Sequence, residues 1–236
     1  MLSSAQDITA IRSRVRQTLD KGVQIDLSTE PCKRYLRRHV NRKVAVVILY
    51  ADIDGSTRMS MAIPASDFAT ILHIFSQEMT LAASESGGYT LKYVGDAVIA
   101  LFPAQHDKQQ ASKNTVECAR LMHDIIRDGI NPELRARGLP ELRIKVSIDY
   151  GDVQVVLYGK SLERSHIDIV GSSISAAAKM ISLVPSGQIV VGECILQNLI
   201  GVMPPDSFTR LEADTSRWSY GSGGKGSYSL YLLKTC

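Results

Sequence analysis

An apolar run from Val44 to Tyr50 leads into Ala51-Asp52-Ile53-Asp54 and breaks at Gly55. A run of this kind predicts a buried strand that presents an acid at the rim of its sheet. Phe68, Ile71, Leu72, Phe75 and Met79 then recur at helical spacing, and Gly87-Gly88 predicts where that helix stops. Met61 and Met79 read as core filler. Tyr89 to Val94 and Ala97 to Phe102 read as a hairpin with Asp96 at its turn. A second helix is predicted from about Lys108 to Arg127, with Val116, Ala119, Met122, Ile125 and Ile126 on one face. Leu142 to Tyr150 alternates as a strand, Gly151-Asp152 reads as a turn, and Val153 to Tyr158 reads as the returning strand. Further on, Ser172 to Leu183 is a third core helix, Pro185-Ser186-Gly187 a turn, and Gln188 to Val191 a short strand. Thr215 to Gly226 is a Ser- and Gly-rich loop before a closing strand at Tyr228 to Leu233.

Strands and helices mixed in this order predict an α+β domain: a mixed, mainly antiparallel sheet with helices packed on one face, as in ferredoxin-like cores. Residues 1–42 differ from the rest of the chain. Arg12, Arg14, Arg16, Lys33, Arg34, Arg37 and Arg38 recur at helical intervals with little to form a core. Ser4 or Asp7 caps a first helix in this reading, and Ser28-Thr29-Glu30-Pro31 opens a second. Two roles fit such a basic helical arm, an anionic partner or a solvated lead-in that packs at a dimer edge. The expected division is therefore an arm over 1–42 and a folded domain over 43–236.

Composition narrows the class of molecule. Of 236 residues, 44% are hydrophobic and 22% charged, enough apolar content for a real core. A net charge of +3 argues against a protein that binds nucleic acid through phosphate contacts. No apolar stretch is long enough to span a bilayer, and the N-terminus lacks a signal-peptide core, so no membrane partner is expected. Cys32, Cys118, Cys194 and Cys236 have no CxxC spacing and read as free thiols in a reducing, cytoplasmic compartment, with disulfides as the alternative.

The chemistry sits at Asp52 and Asp96. Two carboxylates on adjacent strand ends, beside a glycine turn and without His or Cys nearby, suit hard cations that carry phosphates. That points to two-metal phosphoryl chemistry on a nucleotide. Ile53, Gly55, Ser56 and Thr57 precede a helix, so their amides are expected to form an anion nest for β- and γ-phosphates. Lys225, in the C-terminal glycine loop, is a further candidate for phosphate contact.

Three blocks, Tyr50-Ala-Asp-Ile-Asp-Gly-Ser-Thr57, Leu91-Lys-Tyr-Val-Gly-Asp-Ala97 and Asp168-Ile-Val-Gly-Ser-Ser-Ile-Ser-Ala-Ala-Ala-Lys179, occur together in this order. Their order and spacing resemble the catalytic domain of class III nucleotidyl cyclases, over roughly Lys43 to Leu233. The resemblance implies a ferredoxin-like cyclase core and two divalent cations, Mn²⁺ or Mg²⁺, held by Asp52, Asp96 and the Ile53 carbonyl. It implies a homodimer with shared active sites, one protomer holding metals and phosphates while the other reads the base. Lys92 and Asp168 stand where adenylate cyclases read adenine. Lysine only donates and an ionised aspartate only accepts, a pair that fits adenine and equally uracil.

Other positions depart from the family. Ser175 and Lys179 replace the usual Asn and Arg, keeping a hydroxyl for the ribose and a positive charge for the phosphorane but losing the guanidinium fork. Asp54 reads as a turn residue only. Tyr50 replaces a common phenylalanine, and Tyr93 adjoins Lys92; either phenol fills space beside a small ring, or sits in the core with its hydroxyl satisfied. The short domain, the block from Tyr50 to Thr57, the Val170 to Ser175 segment and the closing Trp218-Ser-Tyr220 and Tyr228-Ser-Leu-Tyr231 look most like the stand-alone pyrimidine cyclases of bacterial anti-phage defence. That likeness implies conversion of UTP, or CTP, to a cyclic monophosphate read by a separate effector. An adenylate cyclase and an inactive nucleotide sensor are the alternatives. A diguanylate cyclase needs a Gly-Gly-acidic-acidic signature, which Gly87-Gly88-Tyr89-Thr90 is not.

Overall fold

The computed structural model describes residues 5–23, 26–215, 218 and 228–234. Its helices are α1 Ala5–Lys21, α2 Glu30–Arg37, α3 Ser56–Ala62, α4 Ala65–Glu85, α5 Lys108–Asp124, α6 Asn131–Ala136, α7 Ser172–Met180 and α8 Glu193–Leu199. Its strands are β1 Lys43–Ile53, β2 Tyr89–Val94, β3 Ala97–Pro103, β4 Ile144–Tyr158, β5 His166–Val170, β6 Ile189–Gly192, β7 Phe208–Leu211 and β8 Leu230–Leu233. They form one sheet in the order β2-β3-β1-β4-β6-β8-β7, with β5 paired to the outer part of β4. Among the described strands only β4 and β6 pair in parallel, so the expected mixed, mainly antiparallel α+β sheet is the one the chain adopts.

β1 lies centrally, between β3 and β4. Val47, Leu49, Ala51 and Ile53 enter one hydrophobic cluster; Val44, Val46 and Ile48 enter another on the opposite face. A strand buried on both sides needs no polar alternation, which accounts for the run at Val44 to Tyr50. The helices accordingly take both faces of the sheet, where the sequence reading expects one. Ile71 and Phe75 of α4 and Val116 and Met122 of α5 fill the first cluster. Cys32 and Leu36 of α2 and Ala177 of α7 fill the second.

Two local expectations are corrected. Gly151-Asp152 is not a turn: β4 runs through it unbroken, pairing Gly151 with Val46 and Asp152 with Ala45. The glycine is there for close approach, since a Cβ at 151 would lie 3.1 Å from the Cβ of Ser173 in α7. Met61 is 78% exposed and fills no core, whereas Met79 is fully buried.

The arm over 1–42 folds against the domain. Ile11 and Val15 of α1 belong to the main cluster. Its arginines meet the domain's own acids: Arg14 pairs with the buried Glu78 at 2.6 Å, and Arg16 with Glu133 at 2.6 Å. Arg12 donates to the Asp128 carbonyl at 2.8 Å. The three arginines of α1 thus find partners within the fold. Cys32, Cys118 and Cys194 are free thiols. Ser4, Cys236, Tyr220 and most of the loop expected at Thr215 to Gly226 lie outside the described residues. No helix among the described residues is long and apolar enough to cross a membrane.

Candidate active site

Register sets the two carboxylates together. Asp52, near the end of β1, pairs with Ala97, the residue that follows the Gly95-Asp96 turn between β2 and β3. The Asp52 carboxyl is pushed up to about 6, first by burial and then by the adjacent Asp96 carboxylate, with which it also shares a hydrogen bond. Lys145, opposite Asp52 on β4, acts the other way. Two acids pressed together so that one gains affinity for a proton are equally disposed to take a cation. Ile53 has its side chain buried in the core, so it offers the site only its backbone. No third His, Cys, Asp or Glu completes a metal cluster among the described residues. Two carboxylates and a carbonyl, completed by water and phosphate oxygens, make the oxygen-only set that Mg²⁺ or Mn²⁺ takes. The residues present therefore fit a divalent cation.

The turn after β1 brings the chain round to α3. Gly55 takes φ 74°, a left-handed conformation that would strain other residues, and α3 starts at Ser56. The first hydrogen bond back along this helix runs from the Met59 amide to the Gly55 carbonyl at 3.0 Å. The preceding amides at Ser56 and Thr57 thus stand at a helix start without intrahelical partners. Asp54 is turned toward Ser186 and Lys145; their hydrogen bonds hold its carboxyl below the usual range, and the Lys145 ammonium lies 3.4 Å away. It stays a turn residue. A cleft of about 540 Å³ flanks the outer side of this turn, lined among others by Gly55, Arg58, Met59 and Leu139, and it does not reach Asp52 or Asp96.

On β2 and β5 the structure joins Lys92 to Asp168. The ammonium donates to Asp168 Oδ2 at 2.5 Å, while Oδ1 accepts from the Ile169 amide at 2.9 Å. Lys92 keeps two N–H donors and Oδ2 keeps acceptor capacity, so a base edge with a donor beside an acceptor can meet both. The Tyr50 phenol belongs to this group: burial raises its pKa and the Asp168 carboxylate raises it further. Tyr50 and Asp52 are two residues apart on one face of β1, a separation of about 7 Å. The metal-type pair and the base-type pair therefore share one side of the sheet.

Other candidates land elsewhere. Tyr93 is on the opposite face of β2, its hydroxyl 2.9 Å from Thr80 Oγ1 of α4, so it takes the core role and stands away from Lys92. A strand alternates its faces, and adjacency in sequence to Lys92 guarantees that separation. Ser175 and Lys179 lie on the exposed side of α7, whose inner side carries Ser173, Ala176, Ala177 and Met180. Ser175 Oγ donates to the Gly171 carbonyl at 3.1 Å. The charges acting most on Asp52 come from Asp96, Lys145 and Asp54. Lys225 lies outside the described residues. The sequence reading misses Lys145, although the alternation over Leu142 to Tyr150 marks it as polar; only the register shows that it faces Asp52.

The profile of the adenylate and guanylate cyclase catalytic domain matches residues 39–235, leaving α1 and α2 ahead of the matched span. A cytidylate cyclase of Escherichia coli is 24% identical over 165 residues, 65% of this chain and 35% of that protein. An adenylate cyclase of Anabaena cylindrica is 28% identical over 179 residues, 72% of this chain and 33% of its own length. The chain thus spans about a third of the curated relatives it matches. Among solved structures, the adenylyl cyclase CyaB from P. aeruginosa superposes with a TM-score of 0.70 at 20% identity, covering 83% of this chain and 96% of that one. The guanylyl cyclase Cya2 gives 0.69 at 21% identity, covering 82% and 93%, so the fold is the same. Matched over most of its length and carrying paired acids at the end of β1 and in the β2–β3 turn, the chain belongs to the adenylate and guanylate cyclase catalytic domain family.

Proposed function

We propose that the chain is a nucleotidyl cyclase that converts a pyrimidine nucleoside triphosphate, UTP before CTP, to its 3′,5′-cyclic monophosphate and pyrophosphate. The observation that carries this reading is the contact between Asp52 and Asp96 on the same side of the sheet as Tyr50, Lys92 and Asp168. In the reaction the ribose 3′-oxygen bonds to the α-phosphorus and the bond to the bridging oxygen breaks. Pyrophosphate leaves with that electron pair, and the hydroxyl proton passes to solvent. Divalent cations, Mn²⁺ or Mg²⁺, supply the charge that makes the hydroxyl acidic and the pyrophosphate a good leaving group. Asp52, Asp96 and the Ile53 carbonyl hold them; the amides from Gly55 to Thr57 orient the terminal phosphates. Lys92 and Asp168 grip the base edge while the Tyr50 phenol occupies space that a purine would need. In a homodimer with shared sites, Lys92, Asp168, Ser175 and Lys179 of one protomer serve the nucleotide whose metals and phosphates the other protomer holds, Ser175 and Lys179, exposed on α7, touching ribose and the pentavalent phosphorus. The cyclic product acts as a second messenger for a separate effector in anti-phage defence, working without membrane or nucleic acid.

ATP is the second reading, favoured by the Lys92–Asp168 pair itself, whose donor and acceptor match the adenine edge as well. The test incubates the purified chain with Mn²⁺ and each of ATP, GTP, CTP and UTP, with Asp52→Ala as control, and identifies products by mass spectrometry. A cyclic pyrimidine nucleotide lost in the variant supports the proposal. Cyclic AMP transfers it to the adenylate reading. No product from any nucleotide leaves a nucleotide sensor on a cyclase fold.

A further inference from the structure

β2 and β5 are not neighbours in the sheet. β3, β1 and β4 lie between them, and at about 4.8 Å per strand a flat sheet would hold them roughly 19 Å apart. Yet Lys92 on β2 and Asp168 on β5 meet at 2.5 Å. Sheet pairing alone does not bring them there. An element that touches both strands is α2, which packs on β2 and on β5.

Its grip is specific on each side. The Tyr35 ring stacks on Tyr89 of β2, with centroids 5.5 Å apart and planes at 22°. Arg37 reaches the loop that leads into β5, donating from Nε to the Leu162 carbonyl at 3.0 Å and from a terminal nitrogen to the Glu163 carbonyl at 3.1 Å. Glu30 pairs with the same guanidinium from the other end of the helix. Between these two anchors Cys32 and Leu36, 1% and 0% exposed, fill the space among Leu91 of β2, Ile167 and Ile169 of β5, and Val155 of β4. Ile167 and Ile169 flank Asp168 directly. Cys32 also feels the Asp168 charge, and burial lifts its thiol to about 12, so a neutral group backs the carboxylate.

We infer that α2 is a brace that sets the spacing and orientation of the Lys92–Asp168 pair, and through it the affinity for the base and the choice among bases. Cys32, Tyr35, Leu36 and Arg37 are positioning residues in this sense; none of them touches substrate. The inference rests on the reading of Lys92 and Asp168 as the base-reading pair. It adds that an element ahead of the family domain tunes that pair.

The experiment measures kcat and KM for each of the four nucleoside triphosphates in the full chain and in Arg37→Gln, Cys32→Leu, Leu36→Ala and Cys32→Ser. Arg37→Gln frees the loop at 162–163 without opening the core, so it remains informative if a core variant fails to fold. KM for the preferred nucleotide should rise about three- to tenfold in the first three variants, the worth of one weakened charge-assisted hydrogen bond. The preference ratio should shift by a similar factor, with kcat at saturation within about twofold of the parent. Cys32→Ser, similar in size and neutral, should behave as the parent. In a Lys92→Ala background the Arg37→Gln effect on KM should vanish, because no pair is left to position. Unchanged KM and preference in Arg37→Gln, or a fall in kcat alone, would overturn the brace. If the parent makes no cyclic product at all, the cyclase reading fails on its own. The same variants are then compared by nucleotide Kd, where the brace still requires weaker binding and an unchanged Kd would sink it.

Discussion

Asp149 offers the sharpest test of how this fold handles charge. It lies on β4, 2% exposed, and its Oδ1 accepts from the Tyr228 hydroxyl at 2.5 Å. Burial pushes its carboxyl up to about 7, against the Tyr228 hydrogen bond and a backbone hydrogen bond from Tyr150, with Glu193 adding to the rise. An unfolded aspartate titrates near 3.8, so between about pH 4 and pH 7 the native chain holds a proton that the unfolded chain has released. The unfolded state then binds fewer protons, and stability falls as pH rises through that window. Each pH unit of separation corresponds to about 1.4 kcal/mol, so the full loss by pH 7 is roughly 4 kcal/mol.

Asp149→Asn keeps an oxygen to accept from Tyr228 and removes the ionisation. Its amide also brings donors that need partners at a site already crowded by the chain at Gly192, where a Cβ would collide with Asp149 Oδ1. Some constant penalty is therefore expected, about 1–3 kcal/mol. The pH dependence is the discriminating quantity. Urea unfolding of parent and variant from pH 5 to pH 8 should show the variant gaining on the parent as pH rises, by up to about 1.4 kcal/mol per unit below pH 7. Parallel stability profiles over that range would refute the argument and mean that Asp149 is ionised in the native protein throughout.

Three further outcomes rest on residues already placed. Asp52→Ala and Lys179→Ala should each be inactive alone, and a 1:1 mixture allowed to exchange subunits should recover about a quarter of parental activity, since half the dimers carry one intact site of two; no recovery after confirmed exchange would remove the shared site. Because a proton on Asp52 competes with metal, Mn²⁺ affinity measured by calorimetry should be steady above pH 7 and fall below about pH 6, steepening toward tenfold per unit; a flat profile from pH 5 to pH 7 would exclude Asp52 as a ligand. Arg14→Ala should destabilise the chain by about 3–5 kcal/mol by stranding the buried Glu78, and Glu78→Gln in the same chain should recover part of the loss; a change under about 0.5 kcal/mol in chemical unfolding would mean that α1 does not hold the domain as described.

How much of this is legible in the sequence depends on what kind of interaction places each residue. Asp52 and Asp96 stand out because a buried strand end and a hairpin turn leave local marks: an apolar run, a glycine, and an acid where apolar residues should continue. Lys92 and Asp168 carry no such local mark and are named through family resemblance; their contact at 2.5 Å joins strands with three others between them in the sheet. Tyr93 escapes a local reading because a one-residue step on a strand changes face, and only the core behind α4 decides which face is inside. Gly151 misleads for a related reason. A glycine followed by an acid signals a turn when read locally, and signals a close helix contact when Ser173 of α7 lies 3.1 Å from where its Cβ would be.

The basic N-terminal segment is the most instructive case, because one charge pattern serves two meanings. Arginines at helical intervals require acids somewhere, and sequence alone cannot distinguish an external anion from Glu78 and Glu133 in the same chain. With α1 neutralised internally, the interest moves to α2. In its last turn, Arg37 binds two backbone carbonyls of the β4–β5 loop and an acid of its own helix. A guanidinium committed to three fixed partners does not recruit an outside anion; it fixes a loop. That loop feeds the strand bearing Asp168, so a segment that reads as an appendage is coupled to the group that selects the base.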